Sequence, residues 1–205
     1  SIRETRRWLE GCRRFRFVRP IITPRFTPAC TDELMTALGK IAAEQNLCVQ
    51  SHLSENLDEI AWVRSLHPDC AQYWESYDKF GLWKSHTVMA HCIHSDERER
   101  TAIREAGVVV AHCPDSNINL CSGIAPVREM LNEGIHVTLG TDIAAGSSLA
   151  GSRMVTMSIQ TSKVRSFTDP AHPAFLTVPE AYYLGTTSGH RYFGAGSGFT
   201  PGDRL

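Results

Sequence analysis

The chain has 205 residues, with 21 basic and 22 acidic side chains and 42% hydrophobic residues, a composition that fits one globular domain. A formal net charge of −1 leaves no basic surplus for a nucleic-acid partner, and no apolar run reaches the ~18 residues that a membrane span requires. Seven cysteines, an odd number with no Cys-x-x-Cys spacing, argue against a disulfide framework or a zinc finger and for a reducing, cytoplasmic setting.

Taken in chain order, Arg3, Arg6, Arg7, Arg13, Arg14, Arg16 and Arg19 cluster first, interrupted by Glu4 and Glu10, and read as a solvated helix face. An apolar run from Phe17 to Ile22 then leads to Thr23-Pro24-Arg25-Phe26. The spacing of Leu34, Leu38, Ile41 and Ala42 predicts a helix over 31–45, with Thr31, Asp32 and Glu33 at its start. A second apolar run ends Gln50-Ser51-His52, and Asn56 can cap a helix with Ile60, Val63 and Leu66 inward. Residues 68–84 are aromatic without clean periodicity and read as an irregular or inserted segment that covers something. A third run ends Met89-Ala90-His91, and a helix over 96–106 stops at Gly107. A fourth ends Ala111-His112, followed by a polar loop over 113–123 and a short helix between Pro126 and Gly134. A fifth ends Gly140-Thr141-Asp142, and helices are expected over 152–164 and 178–187.

Strands alternating with helices at this spacing imply right-handed βαβ units and a parallel sheet. No Gly-x-Gly-x-x-Gly follows the first strand and no P-loop occurs, which weakens the nucleotide-cofactor folds.

The informative fact is where the apolar runs stop. Three end in histidine (His52, His91, His112) and one in aspartate (Asp142). Catalytic groups of a parallel α/β barrel project from the C-terminal strand ends, and histidine with aspartate is the donor set of a hydrolytic zinc site. Any one of these histidines alone reads more readily as a structural residue, and Asp142 alone could simply cap a turn. Four in successive strand-end positions point to a metal site. Glu55, three residues beyond His52, is placed either to move a proton beside a metal-activated water or simply to favour a helix N-terminus.

Pro24-Arg25-Phe26, Gln50-Ser51-His52-Leu53-Ser54-Glu55-Asn56, Met89-Ala90-His91, Ala111-His112-Cys113-Pro114 with Ser116-Asn117, and Gly140-Thr141-Asp142 occur in that order. The series resembles the amidohydrolase superfamily, and within it the guanine deaminase family. The resemblance implies a zinc-bearing (β/α)8 barrel with a small β-sandwich, and hydrolysis of guanine to xanthine and ammonia in purine catabolism. It implies His52 and Asp142 as ligands of one zinc ion per subunit, with Glu55, His91 and Asp142 catalytic. Glu55 would shuttle protons and His91 would hold the attacking water or the developing oxyanion. Arg25, Phe26, His52 and Glu55 would contact the purine, Arg25 at its carbonyl oxygen. His112 takes a supporting role. A homodimer with a small-molecule purine as substrate is implied too, and no nucleic-acid or membrane partner.

Two features set limits. The family's His-x-His zinc element is absent from these 205 residues, whereas a catalytic zinc ordinarily keeps three protein ligands. Five βα units also cannot close a barrel that needs about 250 residues. The expected architecture is therefore a partial (β/α)8 barrel, the C-terminal five or so units without the N-terminal strands, forming one catalytic domain over 1–205. A start at Ser1 rather than Met suits a piece of a longer protein, and Gly202-Asp203-Arg204-Leu205 reads as the beginning of a returning sandwich strand. The loop after Asp142, Ile143 to Ser148, matches the family loosely. The alternatives are another aminohydrolase of the superfamily, acting on an adenosine-like or triazine-like ring, or a catalytically incomplete scaffold that keeps the fold.

Overall fold

The computed structural model describes residues 1–169, 171, 174–194 and 201. Helix α1 (Ile2–Cys12) precedes β1 (Ile21–Ile22), a 3-10 turn over Thr27–Ala29, α2 (Asp32–Glu44) and β2 (Cys48–Leu53). Then come α3 (Leu57–Leu66), α4 (Glu75–Asp78), β3 (Thr87–His91), α5 (Glu97–Ala106) and β4 (Val109–His112). The order continues with α6 (Pro114–Asn119), α7 (Val127–Asn132), β5 (Val137–Leu139), α8 (Gly151–Thr168), α9 (Val178–Leu184) and α10 (Thr187–Phe193). The five strands pair in sequence order and every pair is parallel. This is the sequential winding of a barrel wall, and five strands make part of one.

Local chemistry sets the element ends. Thr31 caps α2 by accepting from the Leu34 amide, and Asp96 caps α5 through Glu99. Asn56 and Glu59 form a reciprocal capping box at α3, where the sequence had pointed to Asn56 alone. Gly107 stops α5 at φ 68°, a left-handed conformation that costs glycine least.

The two faces of the sheet differ. Val49, Leu53, Met89, Val110 and Val137 are buried in the core with Ile41, Ile103 and Met130. Each such side chain contributes about 1.5–3 kcal/mol relative to exposure. The opposite face carries Gln50, His52, Val88, Ala90, Ala111 and Thr138, exposed or half-buried, together with the buried Val109, in register across β2 to β5. Small side chains there leave space above the sheet, on the face from which His52 projects.

Several expectations need correction. Only Ile21 and Ile22 of the first apolar run pair as strand; Phe17 is 82% exposed and residues 13–20 run outside the sheet. Residues 113–123 are not all loop, because α6 occupies Pro114–Asn119. Its buried side is Pro114, Asp115, Ser116 and Asn117, so no apolar period marks it. Leu66, expected inward, is half exposed, and Val63 carries the packing of α3. The last expected helix ends early, as α9 at Leu184, and α10 follows where no helix was expected. The returning strand expected at 202–205 lies outside the described residues. Among the described residues no helix is long and apolar enough to cross a membrane, and all seven cysteines are free.

Candidate functional site

Parallel pairing sets His52 against Ala90 and Leu53 against His91, so the two histidines end adjacent strands one step apart. Their rings lie 5.1 Å apart at 31°. Glu55 follows β2 through Ser54, whose φ of 47° turns the chain back over the strand ends. One donor atom from each of His52, Glu55 and His91 lies within 4.8 Å of the others. His91, Cys92 and Asp142 also hold positive φ, at 73°, 49° and 46°. Sparsely populated backbone gathered at the ends of β2, β3 and β5 is a common companion of functional sites.

Hydrogen bonding fixes which ring nitrogens are available. His52 Nδ1 donates to the Arg25 carbonyl at 2.6 Å, so that nitrogen carries the proton and Nε2 keeps a lone pair. His91 Nδ1 donates to Asn117 Oδ1 at 2.8 Å, with the same consequence. His91 Nε2 is buried, finds no hydrogen-bond partner and stands 3.7 Å from Glu55 Oε2. That separation is too long for a hydrogen bond. Two imidazole lone pairs and a carboxylate facing one another form a donor set suited to a transition-metal dication.

Glu55 is held from two sides. Ser122 Oγ donates to its Oε1 at 3.0 Å, and the Glu55 amide donates to Glu59 Oε2 at 2.9 Å. Ser122 is held in turn, since its carbonyl accepts from His94 Nε2 at 3.0 Å. Asp142 lies outside the three-residue group, half-buried three residues beyond β5. Burial pushes the Cys113 thiol up to about 12, and the charges of Asp142 and Glu55 both add to the rise. The two carboxylates therefore share one electrostatic neighbourhood. The loop beyond Asp142 is anchored on α6: Ser147 donates to Asp115 Oδ2 from its amide at 2.7 Å and its hydroxyl at 2.6 Å. Asn119 Nδ2 reaches the Ala145 carbonyl at 3.0 Å. Gly146 packs so closely that a Cβ there would sit 2.0 Å from the Thr141 carbonyl oxygen.

Beside the histidines opens a cavity of about 540 Å³, lined by Arg25, Phe26, His52, Glu55, Asp58 and Trp62 among others. Phe26 packs edge-on to Trp62 with ring centroids 6.0 Å apart and sits 6.3 Å from the His52 ring. The cavity thus offers aromatic surface, one cation and the convergent donor set, in the size range of small-ligand pockets.

The structure places Arg25, Phe26, His52 and Glu55 on one cavity and groups His91 with His52 and Glu55, while Asp142 stays outside that group. His112 is buried as fully as His91. Burial, and then the charge of His91, depress its pKa to about 3, so it stays neutral at physiological pH. Sequence reasoning missed the partners: Asn117 and Ser122 fell in a presumed loop. Glu59 drew no reading at all.

A family model described as "Amidohydrolase family" matches residues 1–203. The guanine deaminase of Dictyostelium discoideum is 43% identical over 174 residues, 85% of this chain and 38% of that protein. The guanine deaminase of Mus musculus is 38% identical over 199 residues, 96% of this chain and 44% of that protein. A crystal structure of guanine deaminase from C. acetobutylicum with bound guanine in the active site superposes with a TM-score of 0.95 at 45% identity. It covers 98% of this chain and 49% of that one. The chain thus spans less than half the length of the relatives it matches.

Proposed function

The chain belongs to the amidohydrolase family, and from that premise we propose that it forms part of a zinc-dependent guanine deaminase, hydrolysing guanine to xanthine and ammonia. The observation that carries this reading is the convergence of His52, Glu55 and His91 beside a cavity lined by Arg25 and Phe26. The bound guanine of the similar C. acetobutylicum enzyme supports the choice of purine. The orphaned, buried Nε2 of His91 and the lone pair left on His52 Nε2 fit a cation at this place.

In this reading His52 and Asp142 would hold one zinc ion per subunit. When bound, the ion supplies the Lewis acidity that lets a water ionise near neutral pH. Arg25 binds the guanine carbonyl oxygen, and Phe26 packs on the purine. Glu55 takes a proton from the attacking water at Oε2 and delivers it to the ring nitrogen next to the amino-bearing carbon. The oxygen adds to that carbon, Glu55 passes the second oxygen-borne proton to the amino group, the carbon–nitrogen bond breaks, and ammonia leaves a carbonyl behind. His91 would hold the attacking water, accepting its hydrogen bond at Nε2 because Nδ1 carries the ring proton. Ser122 keeps Glu55 from turning away between the two proton transfers.

Residues 1–205 would act as one partial catalytic barrel domain. A homodimer in the cytoplasm completes the proposal, and seven free cysteines are compatible with a reducing compartment.

The test is loss of guanine absorbance by the full-length protein, with xanthine and ammonia formed in equal amounts. Turnover of adenosine or a triazine in preference to guanine would replace the substrate while keeping the chemistry. No turnover of any of them, by protein with or without added zinc, would favour a scaffold.

A further inference from the structure

The aromatic segment between α3 and β3 reaches the site from behind. Tyr73 and Tyr77 are 4% and 0% exposed, and their rings stack 5.7 Å apart at 18°. The Tyr77 hydroxyl donates to the His52 carbonyl at 2.7 Å and lies 2.9 Å from Ser51 Oγ. Ser51 Oγ also reaches the Pro24 carbonyl at 2.8 Å, and Ser76 Oγ lies 2.9 Å from Thr27 Oγ1. The same short helix therefore grips the end of β2 and the loop bearing Arg25 and Phe26. The Tyr73 hydroxyl donates to Glu59 Oε1 at 2.7 Å, and Glu59 Oε2 receives the Glu55 amide at 2.9 Å and the Asn56 amide at 3.4 Å.

We propose that Tyr73 and Tyr77 are positioning residues: as one stacked pair they fix the peptide of His52 directly and the peptide of Glu55 through Glu59, setting the distance between ligand and proton carrier. The roles of His52 and Glu55 in this statement rest on the deaminase reading. A helix capping box needs one carboxylate oxygen of Glu59; the Tyr73 hydroxyl occupies the other and locks the carboxylate's rotation. Burial raises both phenols, Tyr77 to about 12 and Tyr73 further, so both remain neutral donors at working pH. The two hydroxyls end on the framework of site residues rather than within their own loop, which a purely packing role does not require.

Tyr73→Phe in the full-length protein keeps the ring stack and removes the tether. Small displacements of a reacting group cost up to about 10²-fold. Accordingly kcat for guanine should fall about tenfold, with KM within about twofold and zinc content unchanged. Because Tyr73→Phe and Glu59→Gln break one tether, the double variant should lose no more than the worse single variant. A merely structural role would give additive losses, with zinc content falling in parallel. Tyr77→Phe supplies a readout independent of turnover, a zinc dissociation constant raised about tenfold. It also carries the test should Tyr73→Phe fail to fold. Unchanged kcat in Tyr73→Phe, additivity in the double variant, or wild-type zinc affinity in Tyr77→Phe overturns the proposal. Failure of the parent reading shows separately, as wild-type protein inert toward guanine or Glu55→Gln fully active. The zinc affinity of Tyr77→Phe still tests the tether in that event.

Discussion

The two sides of the His52–His91 pair are built differently. Behind the rings every nitrogen is committed, His52 Nδ1 to the Arg25 carbonyl and His91 Nδ1 to Asn117. Hydroxyls of Ser51 and Tyr77 close that side. In front, His91 Nε2 is buried without a partner and faces Glu55 across 3.7 Å. Buried polar atoms are nearly always satisfied, and an orphan costs about 1–3 kcal/mol. The satisfied side specifies geometry. The unsatisfied side marks where a ligand or a reacting oxygen belongs.

If that contrast is right, the front tolerates least. Glu55→Gln should leave a folded protein and lower kcat for guanine about 10³-fold, read as loss of guanine absorbance. A residual rate near wild type would assign Glu55 to helix capping instead.

The next effect concerns Glu99, which lies behind the site and accepts from Ser54 Oγ at 2.7 Å. Burial raises its pKa from 4.5 to about 7. Here the folded state binds the proton more tightly than the unfolded chain. The stabilisation is therefore complete below about pH 4.5 and is lost as pH rises through about 7, some ~3 kcal/mol in all. Denaturant midpoints between about pH 5 and about pH 8 should fall more steeply in wild type than in Glu99→Gln. Equal slopes would place Glu99 outside the titrating set.

Arg25 sharpens the contrast at the cavity wall. Arg25→Gln should reduce kcat/KM for guanine by about 10- to 100-fold, since one charge-assisted hydrogen bond to the carbonyl is lost. Selectivity against adenine should narrow with it. An unchanged ratio of the two substrates would remove Arg25 from recognition.

How much of this was legible follows the same division. His52, His91 and His112 announced themselves because an apolar strand run stops at each, and Asn56 announced a helix start. Helix α6 did not, since its buried side is Asp115, Ser116 and Asn117 rather than leucine or valine. The partners were hidden by distance along the chain. Asn117 meets His91 across 26 residues, and Ser122 meets Glu55 across 67. Periodicity reports which face is buried and carries no information on such pairings. The tyrosine pair could be read only as aromatic cover, because its hydroxyl partners are a backbone carbonyl and a capping carboxylate. The weakly matching loop after Asp142 acquires its shape from α6, through Asp115.

Metal content of the full-length protein tests the central claim most directly. Purified wild type should hold about one zinc per chain, and His52→Ala, folded by circular dichroism, should hold none and lose turnover together with it. A metal-free wild type that still converts guanine, or a His52→Ala variant that keeps both its zinc and its rate, would contradict the account.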